Sequence, residues 1–258
     1  DKYFTWSPDS KWLLIEWAIL LNNSDVLLMA ADGSKKINLN ESGYYDGSPK
    51  WVGKGSQMIW FSNRNGMKSY ATSGRTELDV YSMFFTQEDK FNLSDEEFKL
   101  QKAIEKLKKT EKEGEDSEKD KKKNKKDQDK KPDKPKVKDL KFEWEKMKEW
   151  QTKLTIHSSR LGDAVLSKKE DKIYYLARFE GNLNLWTTNL RTKETKMAMK
   201  LDARSGSLQW DKKRENLYLL SNGKISKIDP ETGKKKSVKI KSEINFDATA
   251  ESAAIFDH

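Results

Sequence analysis

The stretch Trp6-Ser7-Pro8-Asp9-Ser10-Lys11 leads directly into the apolar run Trp12-Leu13-Leu14-Ile15. The same order of a strand, a polar turn of about four residues and a second strand recurs three more times, around Trp51, Leu166 and Trp210. Trp51 follows Trp6 by 45 positions, and Trp210 follows Leu166 by 44. Such a period, with several short strands in each copy, is typical of β-propeller blades. We therefore predict an all-β fold.

The chain divides into two β-rich parts and an insertion of different composition. Residues 1–86 and 139–258 carry the short apolar runs, and we predict four-stranded antiparallel sheets in both. Between them, Ser94-Asp95-Glu96-Glu97 resembles a helix capping box, which predicts a helix over about 95–111. The rest of the insertion, 87–138, is rich in Lys and Glu and is predicted to be disordered. The β-rich parts suffice for a partial propeller or one of about four to six blades.

The charge of the chain is concentrated in the insertion. The 258 residues contain 51 Lys and Arg and 42 Asp and Glu, a formal net charge of +9. Residues 119–138 hold 11 Lys and 4 Asp and no aromatic side chain. A nucleic-acid-binding fold more often spreads basic and aromatic residues over a folded face. We therefore predict a solvated loop and no nucleic-acid partner.

Other global features restrict the classes of protein that remain. The chain has no Cys, which excludes disulfides, thiolate metal sites and a cysteine nucleophile. No apolar run reaches the length of a membrane span, so we expect none. The first residues, 1–5, already read as a strand without a leader. We expect a piece of a longer protein whose signal peptide has been removed.

The search for catalytic residues yields none that the pattern supports. A Ser-His-Asp triad needs a histidine, and only His157 and His258 exist. His157 falls in the alternating run Leu154-Thr155-Ile156-His157, where a blade strand explains it. No Gly-x-Ser-x-Gly elbow occurs, whereas composition alone leaves a Ser-Lys dyad open. We predict no catalytic residue in this chain.

Metal and cofactor sites are likewise not predicted. No Asp-rich loop has the spacing of a calcium-binding hand, and no Gly-rich loop suits a phosphate. Four carboxylates lie in or beside turns, where they can accept hydrogen bonds from backbone amides. They are Asp9, Asp46, Asp163 and Asp171.

The tryptophans are interpreted as packing residues. Trp6, Trp51 and Trp210 hold equivalent positions in the repeat, which indicates that each ring fills space between blades. Trp12, Trp17 and Trp60 follow strand alternation and are also assigned to the core. The amphipathic stretch 142–150, which contains Trp144 and Trp150, is expected to cover the side of the propeller.

These residues resemble a known family of propellers. Trp6-Ser7-Pro8-Asp9 resembles the repeat shared by TolB-like propellers and tricorn-type proteases. Residues 154–246 are more specifically similar to the N-terminal propeller of bacterial tricorn-like, C-terminal-processing serine peptidases of Bacteroides-type bacteria. Markers of the likeness are Gly162-Asp163-Ala164, Leu185-Trp186 and Gly223-Lys224-Ile225.

The resemblance implies a non-catalytic propeller that guides or filters polypeptide substrates. Its partners would be those polypeptides and PDZ-like and catalytic domains of the same protein, which would make the parent a serine endopeptidase. It implies a periplasmic or cell-envelope location, with the cytoplasm and a homo-oligomer left open, and no cofactor. Two alternatives remain: a TolB-like periplasmic protein-binding scaffold unrelated to proteolysis, and the propeller of a prolyl-oligopeptidase relative.

Overall fold

A computed structural model of the chain describes residues 3–20, 23–69, 76–92, 99–100, 103–104 and 139–240. The strands of this part form four antiparallel sheets of four strands each, and strands adjacent in sequence pair with one another in every sheet. This confirms the prediction of an all-β fold built from propeller blades. No helix in the described ranges is both long and apolar enough to cross a membrane.

We number the sheets as blades 1 to 4 in chain order. Blade 1 contains β1 (Phe4–Trp6), β2 (Trp12–Leu20), β3 (Asn23–Ala30) and β4 (Lys36–Asn38). Blade 2 contains β5 (Asp46–Val52), β6 (Gln57–Ser62), β7 (Asp79–Phe84) and β8 (Gln151–Lys153). Blade 3 contains β9 (Arg160–Leu166), β10 (Lys172–Arg178), β11 (Leu183–Asn189) and β12 (Thr195–Ala203). Blade 4 contains β13 (Gly206–Trp210), β14 (Leu217–Ser221), β15 (Lys224–Asp229) and β16 (Lys234–Ser237).

The repeated sequence pattern forms the turn between the first two strands of each blade. In every copy the fourth residue after the Trp or Leu position has a positive φ: 59° at Ser10, 99° at Gly55, 60° at Glu170 and 54° at Arg214. Because the left-handed residue occupies the same position in each turn, all four turns reverse the direction of the chain in the same way. The repeat is thus conserved in backbone geometry where the residue type differs.

Hydrophobic layers between adjacent blades hold the sheets together. Leu14 and Leu28 of blade 1 pack with Met58 and Trp60 of blade 2, and all four are fully buried. Comparable layers join blade 2 to blade 3 and blade 3 to blade 4. Burying large side chains on both faces of the sheets removes apolar surface from water and fixes the angle between blades.

The insertion leaves the fold between the third and fourth strands of blade 2. It begins with α1 (Gln87–Asn92), and the chain returns at residue 139. Most of the predicted helix over 95–111 lies outside the described residues; its described members, 99–100 and 103–104, are helical. The 3-10 helix Met147–Glu149 then leads into β8.

The returning segment 139–150 covers the groove between blades 1 and 2, as its amphipathic pattern predicts. Phe142 packs edge-on against Trp12, with ring centroids 4.9 Å apart, and stacks on Trp144 at 4.8 Å. Met147 is fully buried and Trp150 is nearly so. The segment therefore belongs to the hydrophobic core of the first two blades.

Two of the strands predicted from alternation are wrong. Residues 154–157 lie outside β8 because Thr155 and Ser158 both donate hydrogen bonds to the buried carboxylate of Asp79, which draws the chain away from the sheet. The alternating sequence 237–240, which follows the turn at 229–233, also predicts a strand, but the observed strand β16 begins three residues earlier, at Lys234. The amide of Gly233 donates to the carbonyl of Asp229, so pairing resumes directly after that turn.

The burial predicted for Trp6 is also wrong. Trp51 and Trp210 each reach the inner strand of the preceding blade, whereas Trp6 belongs to the first described sheet and finds no earlier sheet beside it. Its side chain is 51 % exposed. Trp60 is fully buried as predicted, and Trp12 and Trp17 are half-buried.

Candidate functional site at the inner strands

The first strands of all four blades line one cavity of about 490 Å³. The turns that follow the first strands of blades 1, 2 and 4 form its mouth. A volume of this size lies within the ~300–1,000 Å³ that is usual for ligand pockets. The walls comprise Thr5, Lys50–Val52, Ala164–Leu166 and Leu208–Trp210.

A buried carboxylate, Asp163, connects three blades at the wall of this cavity. Its Oδ2 accepts a hydrogen bond from the backbone amide of Leu208 in blade 4 at 2.7 Å. Its Oδ1 accepts from the amide of Ala164 at 2.7 Å and pairs with the ammonium group of Lys50 in blade 2. The side chain of Asp163 is only 10 % exposed, so the pair is largely withdrawn from water. Charge-assisted bonds in such surroundings fix the relative positions of the blades.

Two indole rings form equivalent contacts on opposite sides of the cavity. Trp51 Nε1 donates to the carbonyl of Thr5 at 3.1 Å, and Trp210 Nε1 donates to the carbonyl of Leu166 at 2.8 Å. Each bond joins the first strand of one blade to the first strand of the blade before it. Blade 3 carries Leu166 where the others carry Trp, and the Lys50 ion pair joins blades 2 and 3 instead.

A tight turn at Gly53–Gly55 presents Lys54 at the mouth of the cavity. Three consecutive residues have positive φ, with Lys54 at 57° between the two glycines. A Cβ on Gly53 would lie 2.3 Å from Ser56 Oγ, and one on Gly55 would lie 2.6 Å from Leu140 Cδ2. Only glycine fits these two positions, and the exposed Lys54 side chain is left at the rim.

The tyrosines near the inner strands are held in the neutral form. Burial raises the pKa of Tyr45 to about 12, and the nearby Glu16 carboxylate acts in the same direction. Burial also raises the pKa of Tyr3, which lines the cavity, with smaller contributions from Asp163 and Glu16. At neutral pH both phenols are therefore hydrogen-bond donors and not bases.

Of the two histidines, the structure describes only His157. His157 lies exposed in the connection between blades 2 and 3, with its ring edge-on to Phe179 at 6.4 Å. The described part of the chain gives it no hydrogen bond to a serine or a carboxylate. His258 lies outside the described residues. Within those residues no group of three or more His, Cys, Asp or Glu side chains could hold a metal ion.

All four carboxylates accept hydrogen bonds, but only Asp9 and Asp163 accept them from backbone amides as predicted, whereas Asp46 and Asp171 accept them from side chains. Asp9 accepts hydrogen bonds from the amides of Lys11 and Leu140, and Asp171 accepts one from the Ser167 hydroxyl. The fully buried Asp46 accepts the indole N–H of Trp60 at 3.0 Å. Asp163 has the amide and ion-pair contacts given above.

Sequence reasoning missed the contacts between blades. Lys50 was assigned no role, although it pairs with Asp163, 113 positions later. Gln57 and Arg214 were missed as well, and both donate to Glu170. The one available signal was the fixed spacing of these residues from the repeated Trp or Leu position. This spacing would have located Lys50, Gln57 and Arg214 near the inner turns, but it would not have identified the residues that they bind.

Comparison with known proteins shows similarity of fold. No protein-family model matches the chain, and no curated protein matches its sequence. Among solved structures, TolB from Acinetobacter baumannii has a TM-score of 0.51 at 10% identity and the tricorn protease 0.53 at 11% identity. A putative TolB from Agrobacterium tumefaciens gives 0.50 at 11% identity.

The similarity extends over nearly all of this chain but over only part of each of those proteins. It covers 94% of this chain and 45% of the Acinetobacter protein, and 92% of this chain and 22% of the tricorn protease. For the Agrobacterium protein the shares are 91% and 63%. The chain thus spans less than two thirds of the length of each. At these identities the comparisons show a propeller scaffold and leave its activity to be inferred.

Proposed function

We propose that this propeller is the non-catalytic, polypeptide-binding part of a tricorn-like serine protease. The observation that carries the proposal is the cavity at which the inner strands of all four blades meet. Its wall combines apolar groups, such as Val165 and Leu208, with polar groups at the rim, such as Lys54 and Lys212. An unfolded polypeptide carries apolar and polar side chains at short intervals. The wall of the cavity can contact the apolar side chains and its rim the polar ones.

The geometry of the cavity suits guidance better than chemistry. Lys50 and Asp163, its most buried charged pair, are engaged with each other and with backbone groups of blades 3 and 4. Neither is therefore free to activate a nucleophile. Peptide-bond cleavage in our proposal comes from PDZ-like and peptidase domains of a longer parent protein, located in the periplasm or cell envelope. The similarity to the tricorn protease supports this assignment.

The second candidate is a TolB-like scaffold that binds partner proteins in the periplasm and serves no protease. It is favoured by the similarity to two TolB structures, of which this chain covers a larger share than of the tricorn protease. Both candidates use the propeller to bind protein. They differ in whether the bound chain is later cleaved.

The first experiment tests binding at the cavity. Unfolded casein is titrated against the chain and against Gln209→Trp, which places a bulky ring at an exposed position on the cavity wall. The matched control is Lys235→Trp, at an exposed position on the outer strand of blade 4. We expect Gln209→Trp to weaken binding at least tenfold and the control to bind normally. Equal binding by all three proteins would refute the cavity as the binding site.

The second experiment separates the two candidates. This chain and a longer form of the protein that continues past residue 258 are each incubated with casein. We expect cleavage only by the longer form, and inhibition of that cleavage by a serine-directed fluorophosphonate. If neither form cleaves casein and this chain captures one specific envelope protein, the TolB-like scaffold replaces the protease proposal.

A further inference from the structure

Four equivalent turns follow the first strands of the blades, and those of blades 1, 2 and 4 line the mouth of the cavity. These turns comprise residues 7–11, 53–56, 167–171 and 211–216, and we call them the turn rim. Pro8, Gly53–Gly55, Asp211, Lys212 and Arg214 of the turn rim contribute directly to the cavity lining.

The acidic side chains of the turn rim are mostly engaged within the protein. Glu170 binds Gln57 of blade 2 and Arg214 of blade 4, and Asp211 accepts from the amide of Glu215 at 2.8 Å. That amide bond is the main reason why the pKa of Asp211 is lowered. For Asp9, burial raises the pKa, but hydrogen bonds led by the Ser7 hydroxyl outweigh it and leave the pKa below its usual value. These carboxylates are ionised and serve the turns and the contacts between blades.

The basic side chains of the turn rim are, in contrast, mostly free. The turn rim holds seven basic and five acidic residues. Within the described residues, five of the seven are exposed lysines that make no hydrogen bond, ion pair or ring contact. These five are Lys54, Lys168, Lys169, Lys212 and Lys213. Of these five, Lys54 and Lys212 line the cavity, whereas Lys168 and Lys169 line a separate cavity between blades 3 and 4. A ligand at the mouth therefore meets the free ammonium groups of Lys54 and Lys212.

The composition of the turn rim favours a carboxylate ligand over a nucleic acid. Free lysine presents a point charge and lacks the planar fork with which arginine grips phosphate. The two large rings of the cavity are also occupied: Trp51 packs on Phe85 at 5.4 Å, and Trp210 lies 6.4 Å from Tyr174. Rings held in this way, with their N–H groups bonded to backbone, do not offer stacking platforms for bases.

We propose that the turn rim selects acidic segments of polypeptide and directs them into the cavity. This inference rests on the proposed function, because it assumes that the cavity binds polypeptide. Asp and Glu side chains of the bound segment contact Lys54 and Lys212 at the mouth, while neighbouring residues occupy the wall. Since the lysines are exposed, the selectivity falls steeply as the salt concentration rises.

The test uses two fluorescently labelled peptides of twelve residues, both with amidated C-termini so that no terminal carboxylate contributes. The first carries four Asp and Glu residues, and the second has Asn and Gln at those positions. An unlabelled single-stranded DNA of twelve nucleotides serves as a competitor. Affinities are measured by fluorescence anisotropy in 50 mM and 300 mM NaCl. We expect the acidic peptide to bind about tenfold tighter than its amide counterpart at low salt, since each exposed charge pair contributes only modestly.

The variants isolate the turn rim. In the first, Lys54→Asn is combined with Lys212→Gln, because asparagine tolerates the positive φ at position 54. The matched control combines Lys200→Gln and Lys224→Gln, which remove the same charge at exposed positions away from the cavity. We expect the first variant to lose at least threefold in affinity for the acidic peptide and nothing for the amide peptide, and the control to lose neither.

The outcomes separate this inference from the proposed function. Equal binding of the acidic and amide peptides overturns the selectivity of the turn rim and leaves polypeptide binding intact. Failure of both peptides to bind overturns the proposed function as well. Displacement of the acidic peptide by the DNA at lower concentration than by unlabelled acidic peptide shows that the turn rim is a general polyanion site, and overturns the inference.

Discussion

Asp163→Asn should destabilise the propeller strongly, because this single carboxylate joins blades 2, 3 and 4. Asparagine keeps one carbonyl acceptor, but its NH₂ group must face either Lys50 or the amide of Leu208, and both are donors. A hydrogen bond to a charged group contributes about 1.5–3 kcal/mol, and breaking a buried ion pair costs about 3–5 kcal/mol. Lys50 keeps 25% of its side-chain exposure, which lets water solvate it in part. We therefore expect a loss near the lower end of that range, about 3 kcal/mol.

The loss can be measured by urea unfolding followed by tryptophan fluorescence and by thermal melting. For a chain of this size, a change of 3 kcal/mol corresponds to about 6–12 °C in Tm. The matched control is Asp139→Asn, which removes an ion pair with Lys11 whose side chains are 72% and 56% exposed. Exposed pairs contribute about 0–1 kcal/mol, so the control should melt within about 3 °C of the wild type.

A double-mutant cycle shows whether the loss comes from the pair itself. Lys50→Met removes the cation, and the combination with Asp163→Asn should cost less than the sum of the two single changes by about 1–3 kcal/mol. If Asp163→Asn lowers the free energy of unfolding by less than 1 kcal/mol, or if the two changes are additive, the carboxylate does not hold the blades together and the argument fails.

Three smaller changes test other features of the fold. Trp210→Phe removes the indole bond between blades 3 and 4 and should cost about 1–2 kcal/mol in urea unfolding; an unchanged midpoint would contradict its role. Glu231→Gln should lower Tm slightly at pH 7 and by less at pH 3.5. Hydrogen bonds from Lys172, then Tyr174, hold the pKa of Glu231 below its usual 4.5, so its contribution is present above that pH and is lost as the pH falls through the lowered pKa; an equal Tm difference at both pH values would refute this. Ser10→Gly should leave stability within about 1 kcal/mol of the wild type, whereas Ser10→Val should lose about 1–3 kcal/mol because a branched residue is strained at positive φ; similar melting curves would show that the turn is not left-handed.

The blade architecture could be predicted from the sequence because it is encoded locally. Each copy of the repeat places a Trp or Leu at the end of one strand and an apolar run six or seven residues later, so the turn and both strands can be predicted within about a dozen positions. Where the local pattern competed with a distant partner, the prediction failed. Residues 154–157 alternate like a strand, but Asp79 removes them from the sheet through bonds that no nearby residue reveals.

The candidate site could be predicted only in part, since it is built from four separate turns. The sequence predicts a turn at Gly53-Lys54-Gly55, and it shows that the turns are rich in lysine. The convergence of Lys54 and Lys212 on one cavity depends on the angles between blades, which are set by buried layers such as that of Met58 and Trp60. The exposure of Trp6 was missed for the same reason, because its repeat position is typical of a packed ring and only the sheet order shows that its sheet is the first among the described residues.

The insertion in blade 2 has a consequence for the order in which the protein is assembled. Phe84 and Gln151, the ends of paired strands β7 and β8, are separated by the whole of 85–150. The next longest connection between paired strands, from β6 to β7, spans only residues 63–78. Blade 2 therefore cannot acquire its fourth strand until the entire insertion has been synthesised, and the groove that segment 139–150 covers stays open until then. Once closed, the loop adds only about 0.6 kcal/mol of entropic cost for each doubling of its length. The length of the insertion can thus change greatly between related proteins with little effect on the stability of the propeller, while its return point at residue 139 cannot.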